Sequence, residues 1–236
     1  MKFARAAVCY RTYMVRQALL AAAMAGVLGS TSATRPAPST AQELAQALQT
    51  KYDTVKDFSA DFVHSYQGGV LRKTAVESGS VLVKKPGKMR WRYTSPEEKL
   101  FVSNGLKMYS YVPLDNQVVV TDVPAADEAT SSILFLAGKG NLTRDFTASY
   151  GEEAEAPAGS SILKLVPLKP DREYESLTLV LDPGLRMLML VTLDAQGGRS
   201  AFTFSNFKEN VGLSDKEFNF TIPRGADIIT DGRPSN

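Results

Sequence analysis

The sequence predicts a mainly β protein with helices, in which one large antiparallel sheet of about eleven strands is covered by two helical segments. Three observations predict it. Apolar and polar residues alternate from Phe58 almost to the C-terminus. Turn signals such as Pro86-Gly87, Asn104-Gly105 and Gln196-Gly197-Gly198 recur between the alternating runs. Only residues 41–55 and 125–140 break that period, and the second stretch carries the apolar run Ser131–Leu136.

The first residues read as a leader. Lys2, Arg5, Arg11 and Arg16 precede an apolar run, Ala18–Gly29, and small residues follow to Thr31-Ser32-Ala33. A basic start, a short apolar core and a small-residue cleavage site make a secretory signal. The run is short of the roughly 20 residues that span a bilayer. Residues 1–33 are therefore expected to be removed, leaving one domain over 34–236. The only cysteine, Cys9, leaves with them, so the remainder has no disulfide and no thiol chemistry. The whole chain holds 27 basic and 25 acidic residues; without the four basic residues of the leader it is net −2. Nucleic-acid binding loses its electrostatic motive.

Thr40 and Glu43 form a possible capping box. Ala41, Leu44, Ala45, Leu48, Tyr52 and Val55 then recur at offsets of three and four, one stripe of an amphipathic helix. Phe58, Ala60 and Phe62 alternate with Asp57, Ser59 and Asp61, and Gly79–Lys85 follows as a second strand. In Lys88–Thr94, Met89, Trp91 and Tyr93 share one face, and Lys88, Arg90 and Arg92 share the other, facing water. Leu100–Val102, Met108–Val112 and Gln117–Thr121 continue the meander. Further strands are expected at 161–166, 176–181, 186–193, 200–207 and 217–222, with the acidic stretch Gly151–Ser160 as a loop.

Chemistry finds little foothold. His64 is the single histidine, without a second histidine or a cysteine to share a metal, and reads as a satisfied or solvated strand residue. No G-x-S-x-G elbow, phosphate loop or G-x-G-x-x-G occurs. Asp57 and Asp61 suggest paired carboxylates, but their place on the polar face of a strand reads as solvated. Glu152, Glu153 and Glu155 read as a solubilising loop. The chain is not expected to be an enzyme or to hold a catalytic residue, a metal or another cofactor. What it has in excess is inward apolar surface, more than two short helical pieces can cover, and such a surplus makes a cavity for an apolar ligand.

Val83-Lys84-Lys85-Pro86-Gly87-Lys88-Met89-Arg90-Trp91-Arg92-Tyr93 followed by Pro96 resembles the central hairpin of the LolA family. Phe58-Ser59-Ala60-Asp61-Phe62, Val102-Ser103-Asn104-Gly105, Met108-Tyr109-Ser110-Tyr111 with Gln117-Val118, and Phe218–Gly225 match it in the same order. The resemblance covers roughly residues 40–230. It implies an incomplete antiparallel β-barrel with a helical lid over an apolar cavity. It also implies a periplasmic chaperone that takes acylated lipoproteins, as a monomer, from an inner-membrane ABC transporter of the Lol type to an outer-membrane receptor. Acyl chains would lie against Phe58, Phe62, Val81, Val83, Met89, Trp91, Tyr93, Leu177, Leu179, Phe202 and Phe204. The lid would bring Leu44, Leu48, Tyr52, Ile133, Leu134 and Leu136. Lys85 stands where the family typically has an arginine that helps the lid close, and His64 stands where a glutamine is common. A second reading is a LolA-like module that binds or senses a different lipid.

Overall fold

The computed structural model describes residues 40–68, 74–123, 136–138, 140–170, 174–230 and 233–234. The expected leader, residues 1–33, lies outside them, as do Ile133 and Leu134.

Helix α1 (Ala41–Thr54) starts as its sequence dictates. The Thr40 hydroxyl accepts from the Glu43 amide at 3.1 Å, and the Thr40 amide donates to the Glu43 carboxylate at 3.2 Å. Strands β1 (Asp57–Gln67), β2 (Thr74–Lys84), β3 (Lys88–Ser95), β4 (Lys99–Asn104), β5 (Lys107–Val112) and β6 (Gln117–Asp122) follow as one antiparallel meander. A single helical turn, α2 (Leu142–Asp145), leads into the second meander. This comprises β7 (Phe146–Tyr150), β8 (Ser161–Pro167), β9 (Ser176–Leu181), β10 (Met187–Leu193) and β11 (Arg199–Glu209). The two meanders join where β1 pairs with β11, and β12 (Asp227–Thr230) and β13 (Arg233–Pro234) extend the β6 edge.

The result is one open sheet of thirteen strands among the described residues, mainly β and unclosed as expected. Its inner face packs against α1. Leu44, Ala45 and Leu48 are buried in the same cluster as the inward rows of β1, β2, β3, β8, β9 and β11. The expected hairpin at Asn104-Gly105 is held by the Asn104 side chain, which accepts from the Leu106 and Lys107 amides at 2.9 and 2.8 Å.

Five expectations change. Residues 217–222 do not form a strand: Asp215–Phe218 is a 3-10 turn whose Ser214 hydroxyl accepts from the Lys216 amide, and extended chain follows. This segment straps the outer face of β3 to β5. Phe218 is buried, and Phe220 packs on Tyr109 and Tyr111 at centroid distances of 5.3 and 6.0 Å. Lys88 and Arg90 consequently do not simply face water. Lys88 pairs with Asp215 at 3.0 Å, and Arg90 donates to the Glu217 carbonyl at 2.9 Å; only Arg92 stays exposed.

Asp57 is not solvated. It is buried, and its carboxylate accepts from the amides of Gly212 and Leu213 at 3.0 and 3.3 Å, anchoring the start of the strap. Asp61 is exposed and accepts from Asn206, so the two carboxylates do separate structural work. Glu153 is more than a solubilising loop residue. It pairs with Arg199 at 2.8 Å, with its side chain 10% exposed. Nearby, Ala156 packs on an outer cluster of Val180, Met189, Val191 and Ala201. That cover explains why β10 is apolar on both faces. Lastly, β12 runs parallel to β6, a departure from the all-antiparallel meander.

Candidate functional site

The inner face is a continuous apolar surface. Phe58 and Phe62 from β1, Val81 and Val83 from β2, Met89, Trp91 and Tyr93 from β3, Leu177 and Leu179 from β9, and Phe202 and Phe204 from β11 are all buried in one cluster. Register explains the grouping: Phe62 opposes Phe204, Val81 opposes Trp91 and Val83 opposes Met89, so alternate positions share the face. Phe62 sits at the centre, with its ring centroid 5.1 Å from Trp91, 4.9 Å from Tyr93 and 5.9 Å from Phe202. Edge-to-face contacts of this kind add to plain burial.

Leu44, Leu48 and Tyr52 of α1, together with Leu136, close over this face. The inward side chains of the sheet and of the helix pack in one buried cluster. A small apolar pocket remains at the C-terminal end of α1, lined among others by Leu48, Tyr52, Phe58, Leu136, Met187 and Phe207. The arrangement is a closed one.

Polar ties hold α1 at that end. The Lys85 ammonium donates to the Tyr52 carbonyl and lies 3.2 Å from the centroid of the Tyr52 ring. The Tyr52 hydroxyl donates to the Leu136 carbonyl. The backbone ties run in parallel: the Lys85 amide donates to the Lys56 carbonyl at 2.9 Å, and the Gly87 amide to the Ala137 carbonyl at 2.8 Å. Gly138 lies so close that an added Cβ would meet Lys85 Cδ at 2.9 Å. Burial pushes the Lys85 ammonium down to about 8, partly opposed by the Asp53 carboxylate. Burial likewise raises the Tyr52 phenol. On the other side of the helix, Lys51 donates to the Gly184 carbonyl at 2.9 Å and pairs with Glu209 at 3.0 Å. Sequence reasoning missed Lys51, because nothing local distinguishes it from any exposed helix lysine.

A polar cluster centred on His64 lies at one end of the inner face. His64 stacks on Phe202 with a centroid distance of 4.2 Å, its Nε2 is 2.9 Å from the Ser200 hydroxyl, and its Nδ1 is 3.4 Å from Glu77. Glu77 also accepts from Lys99. Burial lowers the His64 pKa against the upward pull of Glu77. His64 is thus a satisfied rather than a solvated strand residue, one of the two readings its sequence context leaves open.

An open sheet whose apolar inner face is closed by one tethered helix is the architecture of a shielding cavity. The family described as "Outer membrane lipoprotein carrier protein LolA" matches residues 53–221. The chain belongs to the LolA family. A relative named "Outer-membrane lipoprotein carrier protein" from Cupriavidus pinatubonensis is 31% identical over 186 residues, covering 77% of this chain and 85% of its own. One of the same name from Chromohalobacter salexigens is 30% identical over 203 residues, covering 85% and 94%. Among solved structures, an uncharacterized conserved protein from Thermus thermophilus superposes with a TM-score of 0.50 at 14% identity, over 79% of this chain and 99% of that one. That likeness concerns the fold alone. LolA membership fits the sheet and the helix over it.

Proposed function

We propose that this chain carries acylated lipoproteins across the periplasm, without catalysis and without a cofactor, after its leader is removed. In this reading the cargo comes from an inner-membrane ABC transporter of the Lol type and passes to an outer-membrane receptor, with one copy of the chain acting as a monomer. Leu44, Leu48, Tyr52 and Leu136, with Ile133 and Leu134, form the lid, Lys85 is its latch, and the apolar rows from Phe58 to Phe204 receive the acyl chains.

The observation that carries the reading is the inner face itself: an aromatic and aliphatic surface of an unclosed sheet, covered by a helix tethered at one end through a few polar contacts. The physical need matches. Each methylene exposed to water costs about 0.8 kcal/mol, so a sixteen-carbon chain carried naked costs on the order of 12 kcal/mol. When α1 moves away, the same face that packs against the helix can pack against a chain, and one apolar contact replaces another. Family membership and the names of the relatives point the same way. Mass spectrometry of material co-purifying with the protein from a periplasmic extract tests the proposal. Diacyl- or triacyl-cysteine peptides are expected; free lipid alone would contradict it.

A further inference from the structure

Along β1, β2, β3 and β11 the inner face is apolar from Phe58 to Phe62 and Trp91, and then turns polar in a cluster that spans three neighbouring rows, beside the buried rings of Tyr93 and Phe202. His64, Glu77, Lys99 and Ser200 meet there, each satisfied through its neighbours. The cluster is sheltered: the His64 and Glu77 side chains are only 17% and 18% exposed. Its charges cancel, since Glu77 and Lys99 pair and burial favours neutral imidazole in His64.

Two donors at this boundary have capacity to spare. Lys99 gives one of its three N–H groups to Glu77. The indole N–H of Trp91 is buried and has no acceptor among the described residues. Buried tryptophan N–H groups usually find a partner, and an orphan of this kind costs stability that nothing in the fold returns. Trp91 opposes Phe101 on β4, and Lys99 lies two residues before Phe101 on the same face. Their strand positions are therefore diagonal, with backbones about 7–8 Å apart, and the Trp91 ring reaches the cluster through Phe202, which it and His64 both contact at 5.1 and 4.2 Å. From Phe58 to His64, β1 rises roughly 20 Å, the reach of a long extended fatty-acyl chain.

We propose that this boundary is a head-group site, in which the indole N–H of Trp91 and the ammonium of Lys99 receive the ester carbonyls of a diacylglyceryl cargo whose chains run toward Phe58. The inference rests on the carrier reading above and adds the orientation of the ligand and the chemistry that recognises it. Glu77, with His64 and Ser200 behind it, holds Lys99 in place. The neutral cluster suits a neutral ester and disfavours an anionic head, which would face Glu77. Neither donor can be replaced by the hydrocarbon of the chains, so recognition resides in the carbonyls.

The test uses the leader-free chain and two synthetic probes with the same peptide. One is a dipalmitoylglyceryl-cysteine lipopeptide, and the other is its dihexadecyl ether analogue, which lacks the carbonyls. Titration calorimetry is expected to show tenfold or greater preference of the unaltered protein for the ester. Lys99→Met, at a partly exposed position, should cut that preference at least fivefold while ether affinity stays within twofold, which also reports an intact fold. Trp91→Phe should likewise reduce the preference. Equal affinity for ester and ether, a preference that survives both substitutions, or an equal loss of both ligands in Lys99→Met would overturn the head-group site. Binding of neither probe by the unaltered protein would overturn the carrier reading and this inference with it.

Discussion

The Lys85 ammonium is pinned to a single residue twice, donating to the backbone carbonyl of Tyr52 and lying against the face of the Tyr52 ring. Tyr52 in turn donates to the Leu136 carbonyl, so one lysine reaches both the end of α1 and the segment beside it. The cation–π contact and the charge-assisted bond favour the closed arrangement, and burial of the ammonium opposes it.

That balance predicts a pH dependence. In the closed state Lys85 titrates near 8, against 10.5 for a free lysine, so closing releases a proton between those values. Raising the pH therefore favours closure and weakens ligand binding. Between pH 7.5 and 9.5, lipopeptide affinity is expected to fall about fivefold, a figure discounted for the partial exposure of the group. Lys85→Gln and Lys85→Arg, neither of which titrates in this range, should both flatten the profile. The window stops short of the tyrosines, whose buried phenols are raised above their ordinary value. A slope unchanged in both variants would place the titrating group elsewhere.

His64 predicts the behaviour in acid. Its folded pKa is lowered, so the unfolded chain takes up a proton near 6.5 before the folded chain does. The associated stability is present above 6.5 and is lost as the pH falls through the lower folded value. Glu77, also lowered, adds a loss below the ordinary carboxylate range. Thermal melts should show Tm falling from pH 6.5 downward. His64→Gln should remove the first part of that fall and leave the second.

Asp57 predicts the cost of losing the strap. Asp57→Ala leaves the Gly212 and Leu213 amides without their acceptor, and each such loss costs about 1–3 kcal/mol. A Tm lowered by several degrees is expected, together with faster amide exchange in residues 212–220. Asp57→Asn, which keeps one acceptor oxygen, should recover about half of the effect. Normal exchange in Asp57→Ala would show that the strap is held by Phe218 alone.

Gly79 predicts the tightest backbone contact. A Cβ there would stand 1.9 Å from the Arg92 carbonyl oxygen, part of the facing strand and unable to swing aside. The β2–β3 register also shifts between Ser78 and Gly79. Gly79→Ala must part the strands at the row that carries Tyr93, at a cost of about 1–3 kcal/mol or more. Chemical denaturation measures it, and a change below about 0.5 kcal/mol would contradict the close approach.

Much of this was legible in the sequence. Met89, Trp91 and Tyr93 face inward because a pleated strand sends alternate side chains to one side, and the same period grouped Phe58 with Phe62 and Phe202 with Phe204. Period two does not report whether a neighbouring backbone pairs. Phe218 and Phe220 therefore read as a strand, although they cover β3 to β5 without joining the ladder. Asp57 read as solvated because its partners, Gly212 and Leu213, come from the far end of the chain. Asp227–Thr230 was too short for its alternation to register. Lys85 was singled out by resemblance to an arginine site, but its contact with the end of α1 depends on the chain geometry of Tyr52, which no local pattern encodes. Trp91 read as an ordinary inward aromatic; only the packed structure reveals that its N–H lacks an acceptor.

The central claim is that α1 must leave the inner face before acyl chains can enter. Leu48 on α1 and Met187 on β10 line the same pocket, and the leader-free chain has no other cysteine. A Leu48→Cys, Met187→Cys protein bridged by a reducible bis-thiol crosslinker therefore carries one removable lock. The measurement is the rate at which it takes up a fluorescent dipalmitoyl lipopeptide, crosslinked and then reduced. The crosslinked protein should take up little or none, and reductant should restore the rate. Uptake at the same rate with the lock closed would contradict the account.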